Sequence, residues 1–88
     1  MQTAQISVGT AAVKVLGPEE NTTRMILHNG EKAASHYIYF GGDSSVSTAT
    51  GAHIDPGETY NWVLSVGDEI WAVAGQDGYT LHVMWDVY

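Results

Sequence analysis

Apolar residues recur at every second position in this chain, in short runs punctuated by Gly, Pro, Asn and Asp. The clearest run closes the sequence: Tyr79, Leu81, Val83, Trp85 and Val87 form one face, and Thr80, His82, Met84, Asp86 and Tyr88 form a mixed one. Period-2 alternation of this kind predicts half-buried β-strands. Residues 23–29 repeat it, with Thr23, Met25, Leu27 and Asn29 opposed to Arg24, Ile26 and His28. Farther on, Tyr60, Trp62 and Leu64 alternate with Asn61, Val63 and Ser65, and Ile70, Ala72 and Ala74 with Trp71 and Val73. Two shorter pieces open the chain, around Ile6 and Val8 and around Val13 and Val15. They read either as a hairpin about Gly9-Thr10 or as one bent strand. Tyr37 to Phe40 is apolar on both faces, which predicts a central strand or one covered by a partner.

Breakers divide these runs. Gly17-Pro18-Glu19-Glu20-Asn21 predicts a loop, and Asn29-Gly30 a reversal lengthened by Glu31 to Ser35. Asp55-Pro56-Gly57-Glu58 fits a turn with Pro and Gly at its two central positions. Val66-Gly67-Asp68 turns the chain, and Gly75-Gln76-Asp77-Gly78 predicts a hairpin. The Ser/Thr-rich run 44–50 predicts a bulk-poor loop with a short edge strand around Val46 to Thr48. No window carries a helical stripe. The expectation is one all-β domain over residues 1–88: a small antiparallel sandwich or barrel, jelly-roll-like, of about seven or eight short strands.

Composition narrows the functional classes. With ten acidic residues against Lys14, Arg24 and Lys32, the net charge is −7, so phosphate backbones and anionic membrane surfaces are disfavoured partners. No basic, apolar leader opens the sequence, and no apolar run approaches the roughly 20 residues of a membrane helix. There is no cysteine to staple 88 residues whose core is necessarily thin, so association with copies or with a larger body is expected.

Catalytic chemistry finds little purchase. There is no Cys nucleophile, no Gly-x-Ser-x-Gly elbow, no glycine-rich phosphate loop and no cofactor motif. His28, His36, His53 and His82 lack metal-ligand spacing, although His28 and His82 become neighbours if their strands pair. Asp43 with Ser44, Ser45, Asp55 and Glu58 offers oxygens to a calcium ion, but not at EF-hand spacing; Asp43 more simply caps its own turn. The two-histidine core of a cupin metal site is missing. Aromatic side chains are the remaining signal: those outside the core would anchor an interface or stack on sugar rings. Tyr39 and Trp71, each opposite its strand's other apolar face, are the first choices.

Read in order, the chain resembles a family of small phage structural proteins. The resemblance rests on Ile6-Ser7-Val8-Gly9-Thr10-Ala11-Ala12-Val13, on Arg24 to Asn29, and on Tyr37 to Val46 with its Gly41-Gly42-Asp43 centre. It continues through Ile54-Asp55-Pro56-Gly57-Glu58 and Asp68-Glu69-Ile70-Trp71-Ala72. Each motif is a generic strand–turn phrase, but together they span most of the chain. The resemblance implies a β-sandwich virion component such as a capsid decoration or minor head protein. The expected partner is then the major capsid protein, on the capsid exterior, with a homo-oligomer, a three-fold trimer first, as the working form. The alternative is a tail-fibre or baseplate module that binds host glycan. The expected interface comprises Tyr39, Gly41, Gly42, Asp43, Val46, Thr48, Trp71 and Tyr88, because small side chains in the 41–51 loop admit a neighbouring backbone.

Overall fold

The computed structural model describes residues 1–88 and contains eight strands and no helix. The strands are β1 (Gln2–Val8), β2 (Val13–Leu16), β3 (Thr23–Asn29), β4 (Ile38–Gly41), β5 (Ala52–Ile54), β6 (Thr59–Leu64), β7 (Ile70–Ala74) and β8 (Tyr79–Val87). Their pairing follows one rule. The first strand pairs with the last, β2 with β7, β3 with β6 and β4 with β5, all antiparallel. The chain is thus a long double ribbon folded back at β4–β5. Rolling the ribbon brings β3 against β8 and β4 against β7. Two four-stranded sheets result, ordered β1-β8-β3-β6 and β2-β7-β4-β5. This is the jelly-roll sandwich, and the all-β expectation holds.

The turns do something other than predicted. Only β4 and β5 are sequence neighbours that also pair. Gly75 to Gly78 is not a hairpin: β7 and β8 lie in opposite sheets. The pieces flanking Gly9-Thr10 are neither a hairpin nor one strand, because β1 joins the first sheet and β2 the second. Turn residues favour a chain reversal, whereas the apolar faces decide which sheet the next strand completes. The two arches brace each other. Thr10 N donates to the Asp77 carboxylate at 2.9 Å, and Ala74 N donates to Gly9 O at 2.8 Å.

Between the sheets, the alternate residues named by the pattern meet. Met25 and Leu27 of β3, Leu81 and Val83 of β8, and Val8 of β1 face Ile38, Phe40, Ile54, Ile70 and Ala72 of the second sheet. Of the two faces that alternation separates in residues 23–29, β3 buries Thr23, Met25, Leu27 and Asn29. β4 is central in its sheet, between β7 and β5, as its two apolar faces require.

The one fully buried polar side chain is a hub. Asn29 Nδ2 donates to the carbonyls of His36 and Ile54, both at 2.9 Å, and its Oδ1 accepts from Glu31 N at 2.9 Å. Its backbone N donates to Glu58 O, and its backbone O accepts from Gly57 N, both at 3.0 Å. Asn29 therefore ties β3 to the 30–37 connection, to the end of β5 and to the Asp55–Glu58 turn, where Gly57 sits at φ +78°. Glu31 continues the network: Oε2 accepts from Thr80 N at 2.9 Å and Oε1 meets His36 Nδ1 at 3.1 Å. The His36 ring stacks on Tyr79 with centroids 4.4 Å apart.

Candidate functional site

Seven of the eight residues expected to form an interface gather at one end of the second sheet. Tyr39 points outward from β4, half-buried beside His53. Gly41, at the end of β4, is in register with Trp71, whose Nε1 donates to Glu69 Oε1 at 2.8 Å. Gly42 and Asp43 open the loop that follows, and Val46 and Thr48 lie within it. Tyr88 is elsewhere, at the end of β8 in the first sheet, with its backbone N bound to Thr22 O at 2.8 Å.

The loop itself corrects one expectation. Val46 to Thr48 form no edge strand; turns at residues 44–45 and 48–50 flank Val46 and Ser47. Asp43 Oδ1 accepts from Ser45 N at 2.8 Å and from the Ser45 hydroxyl, and these bonds hold the Asp43 carboxyl below the usual carboxylate range. Gly51 N donates to Ser47 O at 2.9 Å, and the Thr50 hydroxyl oxygen accepts from Ser47 N at 3.1 Å. Val46 folds inward over Gly41 and Gly51, so close that a Cβ on either would lie 2.9 Å from its Cγ2. Local side-chain bonds outcompete strand pairing here, as Ser, Thr and Asp commonly arrange. The loop is a compact cap on its own sheet.

The exposed apolar surface lies instead on β6. This strand follows the Asp55–Glu58 turn and is fixed in register by Asn29, with Leu27 opposite Tyr60 and Met25 opposite Trp62. Tyr60, Trp62 and Leu64 face inward, but only Leu64 is covered; Tyr60 is 38% exposed, Trp62 42% and outward-facing Val63 47%. Phe40 meets the Tyr60 ring at 5.3 Å, and Tyr60 stacks toward Trp62 at 5.9 Å with 28° between planes. The result is an aromatic ladder that leaves the core through the open side of the sandwich. Below it lies a concavity of about 400 Å³ between Trp62 and Leu64 on one side and Phe40, Gly42, Glu69 and Ile70 on the other. On the opposite face a broader concavity, about 610 Å³, runs along Met1, Ile26, Trp62 and Val63, with Arg24 as its one charged lining residue. Arg24 reaches Asp86 at 3.8 Å across β3 and β8.

The free edge of β6 has a defined pattern. Asn29 exchanges backbone hydrogen bonds with the turn leading into β6, whereas Thr22 and Gly30 bond toward β8 through Tyr88 N and Thr80 O. Antiparallel ladders alternate along a strand. Carried along the register, the alternation turns Leu27 and Met25 toward Tyr60 and Trp62. Tyr60, Trp62 and Leu64 therefore spend their N–H and C=O groups on β3. Those of Thr59, Asn61 and Val63 point away into solvent. No charge, proline or bulge interrupts β6. Such interruptions are how exposed edges are usually blunted, and the second sheet shows them: β5 has three residues, and β2 carries Lys14 and a register shift. The other long free edge, β1, exposes Thr3, Gln5 and Ser7 in place of aromatics.

His28 and His82 do sit side by side, in register on paired strands with ring centroids 5.8 Å apart, and His28 Nδ1 lies 2.9 Å from the Thr59 hydroxyl. No third His, Asp or Glu joins them to make a metal-sized cluster. The sequence reading placed Tyr60 and Trp62 in a strand but did not single them out. Their signal was the uncharged run Thr59-Tyr60-Asn61-Trp62-Val63-Leu64, aromatic on one face and without an edge-blunting residue. No family model, curated protein or solved structure matches the chain.

Proposed function

We propose that this chain is a phage virion structural protein that binds the outer face of the capsid as a decoration protein and stabilises the shell. The observation that carries the reading is the exposed apolar face of the first sheet, where Trp62 and Val63 of β6 stand beside the Met1–Ile26 concavity. An exposed apolar patch of this kind marks a surface that a partner covers. The ordered resemblance to small phage structural proteins supplies the partner class, and jelly rolls are a recurrent capsid architecture. A net charge of −7 suits an outer face remote from packaged DNA. Binding assembled shell in preference to free subunits stabilises the shell by mass action.

The test is direct. Purified particles should contain the protein, and particles stripped of it should release DNA at lower temperature and regain resistance when it is added back. Trp62→Lys should abolish rebinding while leaving the isolated fold intact. Absence from particles, or equal heat resistance without it, overturns the reading.

A glycan-binding role in a tail fibre or baseplate has one observation in its favour. The near-parallel Tyr60 and Trp62 rings, with Glu69 across the adjoining concavity, form a surface on which a sugar face can stack. Glycan-array binding abolished by Trp62→Ala would favour it over shell binding.

A further inference from the structure

We propose that two copies of this chain associate by antiparallel pairing of β6 with β6, about a two-fold axis through Asn61. The proposal stands on strand geometry and does not depend on the capsid assignment. The free backbone groups of β6 belong to Thr59, Asn61 and Val63, so an added strand must place its own outward groups opposite these three. A second β6 does this when Asn61 meets its equivalent and Thr59 meets Val63 on each side of the axis. Each of these three pairs exchanges two backbone hydrogen bonds, and no outward group in the span is left over.

The side chains agree with that register. A two-fold axis perpendicular to the sheet keeps like faces together, so Tyr60 of each copy lies opposite Trp62 of the other. These aromatics occupy non-hydrogen-bonded positions, where Cα atoms approach to about 4.5 Å and cross-strand pairs interact most closely. The half-exposed rings of both chains then close into one cluster over the open side of each sandwich. On the opposite face Thr59 meets Val63, and Asn61 meets Asn61, whose amides are self-complementary as donor and acceptor. Charge favours a second copy in particular. The chain carries −7 overall, yet Thr59 to Leu64 contains no Asp, Glu, Lys, Arg or His, so two copies meet without opposed like charges in the pairing strands. The interface is isologous and closes at two subunits. A trimer, the form expected from the sequence, if built on the β6 edge, would instead pair it head-to-tail with a different edge of a neighbour, of which β1 is the other long one. That pairing would set Tyr60 and Trp62 against a strand whose free-edge groups belong to Thr3, Gln5 and Ser7.

Sedimentation of the full chain over a concentration series should give a monomer–dimer equilibrium. Asn61→Pro removes an outward N–H without touching the β3 ladder, and should weaken the dimer at least tenfold. Should that variant unfold, cysteine pairs read the register independently, since the chain has no native cysteine. Under mild oxidation Asn61→Cys should cross-link to itself. Thr59→Cys and Val63→Cys should cross-link to each other when mixed, and neither alone, because hydrogen-bonded partners lie about 5.5 Å apart, within disulfide reach. A monomer at the highest soluble concentration, a trimer, or cross-linking of Val63→Cys to cysteines placed on β1 overturns the proposal.

Discussion

Replacing Asn29 by Ala should destabilise the domain more than any change to its surface. The side chain is fully buried and makes three hydrogen bonds, two given to the carbonyls of His36 and Ile54 and one accepted from Glu31 N. Alanine leaves all three backbone partners without their bond. A net contribution of roughly 0.5–1.5 kcal/mol per bond gives a total of about 3 kcal/mol, and the burial of the Ile54 carbonyl argues against the low end. For a chain of this size that corresponds to a fall in Tm of about 12–24 °C. Urea unfolding at pH 7, followed by tryptophan fluorescence, measures it: the midpoint should fall with an unchanged slope, since the surface exposed on unfolding is the same. Asn29→Asp sharpens the test. It keeps the acceptor for Glu31 N but turns an oxygen toward two carbonyl oxygens and buries a charge, so at neutral pH it should cost more than alanine. A loss below about 1 kcal/mol for Asn29→Ala would refute the hub, because it would mean that water or a neighbour replaces the bonds at little cost.

Two further predictions concern acid stability and the loop on the second sheet. Glu31 is held below the usual carboxylate range, first by the bond from Thr80 N and then by the His36 ring. A depressed folded-state pKa means that the unfolded chain takes up the proton first. The contribution is therefore whole above the ordinary glutamate value, about 4.3, and is lost as pH falls through the lower folded value. Glu31→Gln should accordingly flatten the decline of the urea midpoint as pH falls below about 4.3; an unchanged slope would remove Glu31 from that role. In the loop, a Cβ on Gly51 would lie 2.9 Å from Val46 Cγ2, 3.0 Å from Tyr39 Cβ and 3.1 Å from Ser47 O, whereas one on Gly42 meets nothing within 4 Å. Gly51→Ala should cost about 1–3 kcal/mol in thermal or urea unfolding and Gly42→Ala less than about 0.5, and the reverse order would show that Val46 does not seat there.

Strand positions and faces were legible because alternation records them directly: β3 buries one alternate set, Thr23, Met25, Leu27 and Asn29, and β8 buries Tyr79, Leu81 and Val83 of its apolar face, although Trp85 is only half-buried and Val87 is exposed at the strand end. Which strands pair was not legible, since Gly75 to Gly78 has the same turn chemistry whether it closes a hairpin or arches between sheets. The candidate site was misjudged for a related reason. Alternation put Tyr60 and Trp62 on the same face as Leu64, but says nothing about whether the opposite sheet extends far enough to cover them. It covers Leu64 and leaves the other two half-open. Conversely, Gly41, Val46 and Gly51 read as room for a neighbour, and the chain fills that room with its own Val46. Asn29 was placed on the Met25–Leu27 face and in a turn signal but not seen as a hub, because a buried amide hub and an exposed turn asparagine look alike in one sequence.

The position of β8 also has a consequence in time. It lies between β1 and β3, so the first sheet has no continuous ladder until residues 79–87 have been synthesised. Nascent chains therefore leave the ribosome with apolar strand faces uncovered, and ordering waits for contacts spanning almost the whole sequence. Topologies of this kind fold slowly for their size and spend longer at risk of intermolecular pairing. The uncharged β6 emerges before β8, and is the segment most in need of protection during that interval.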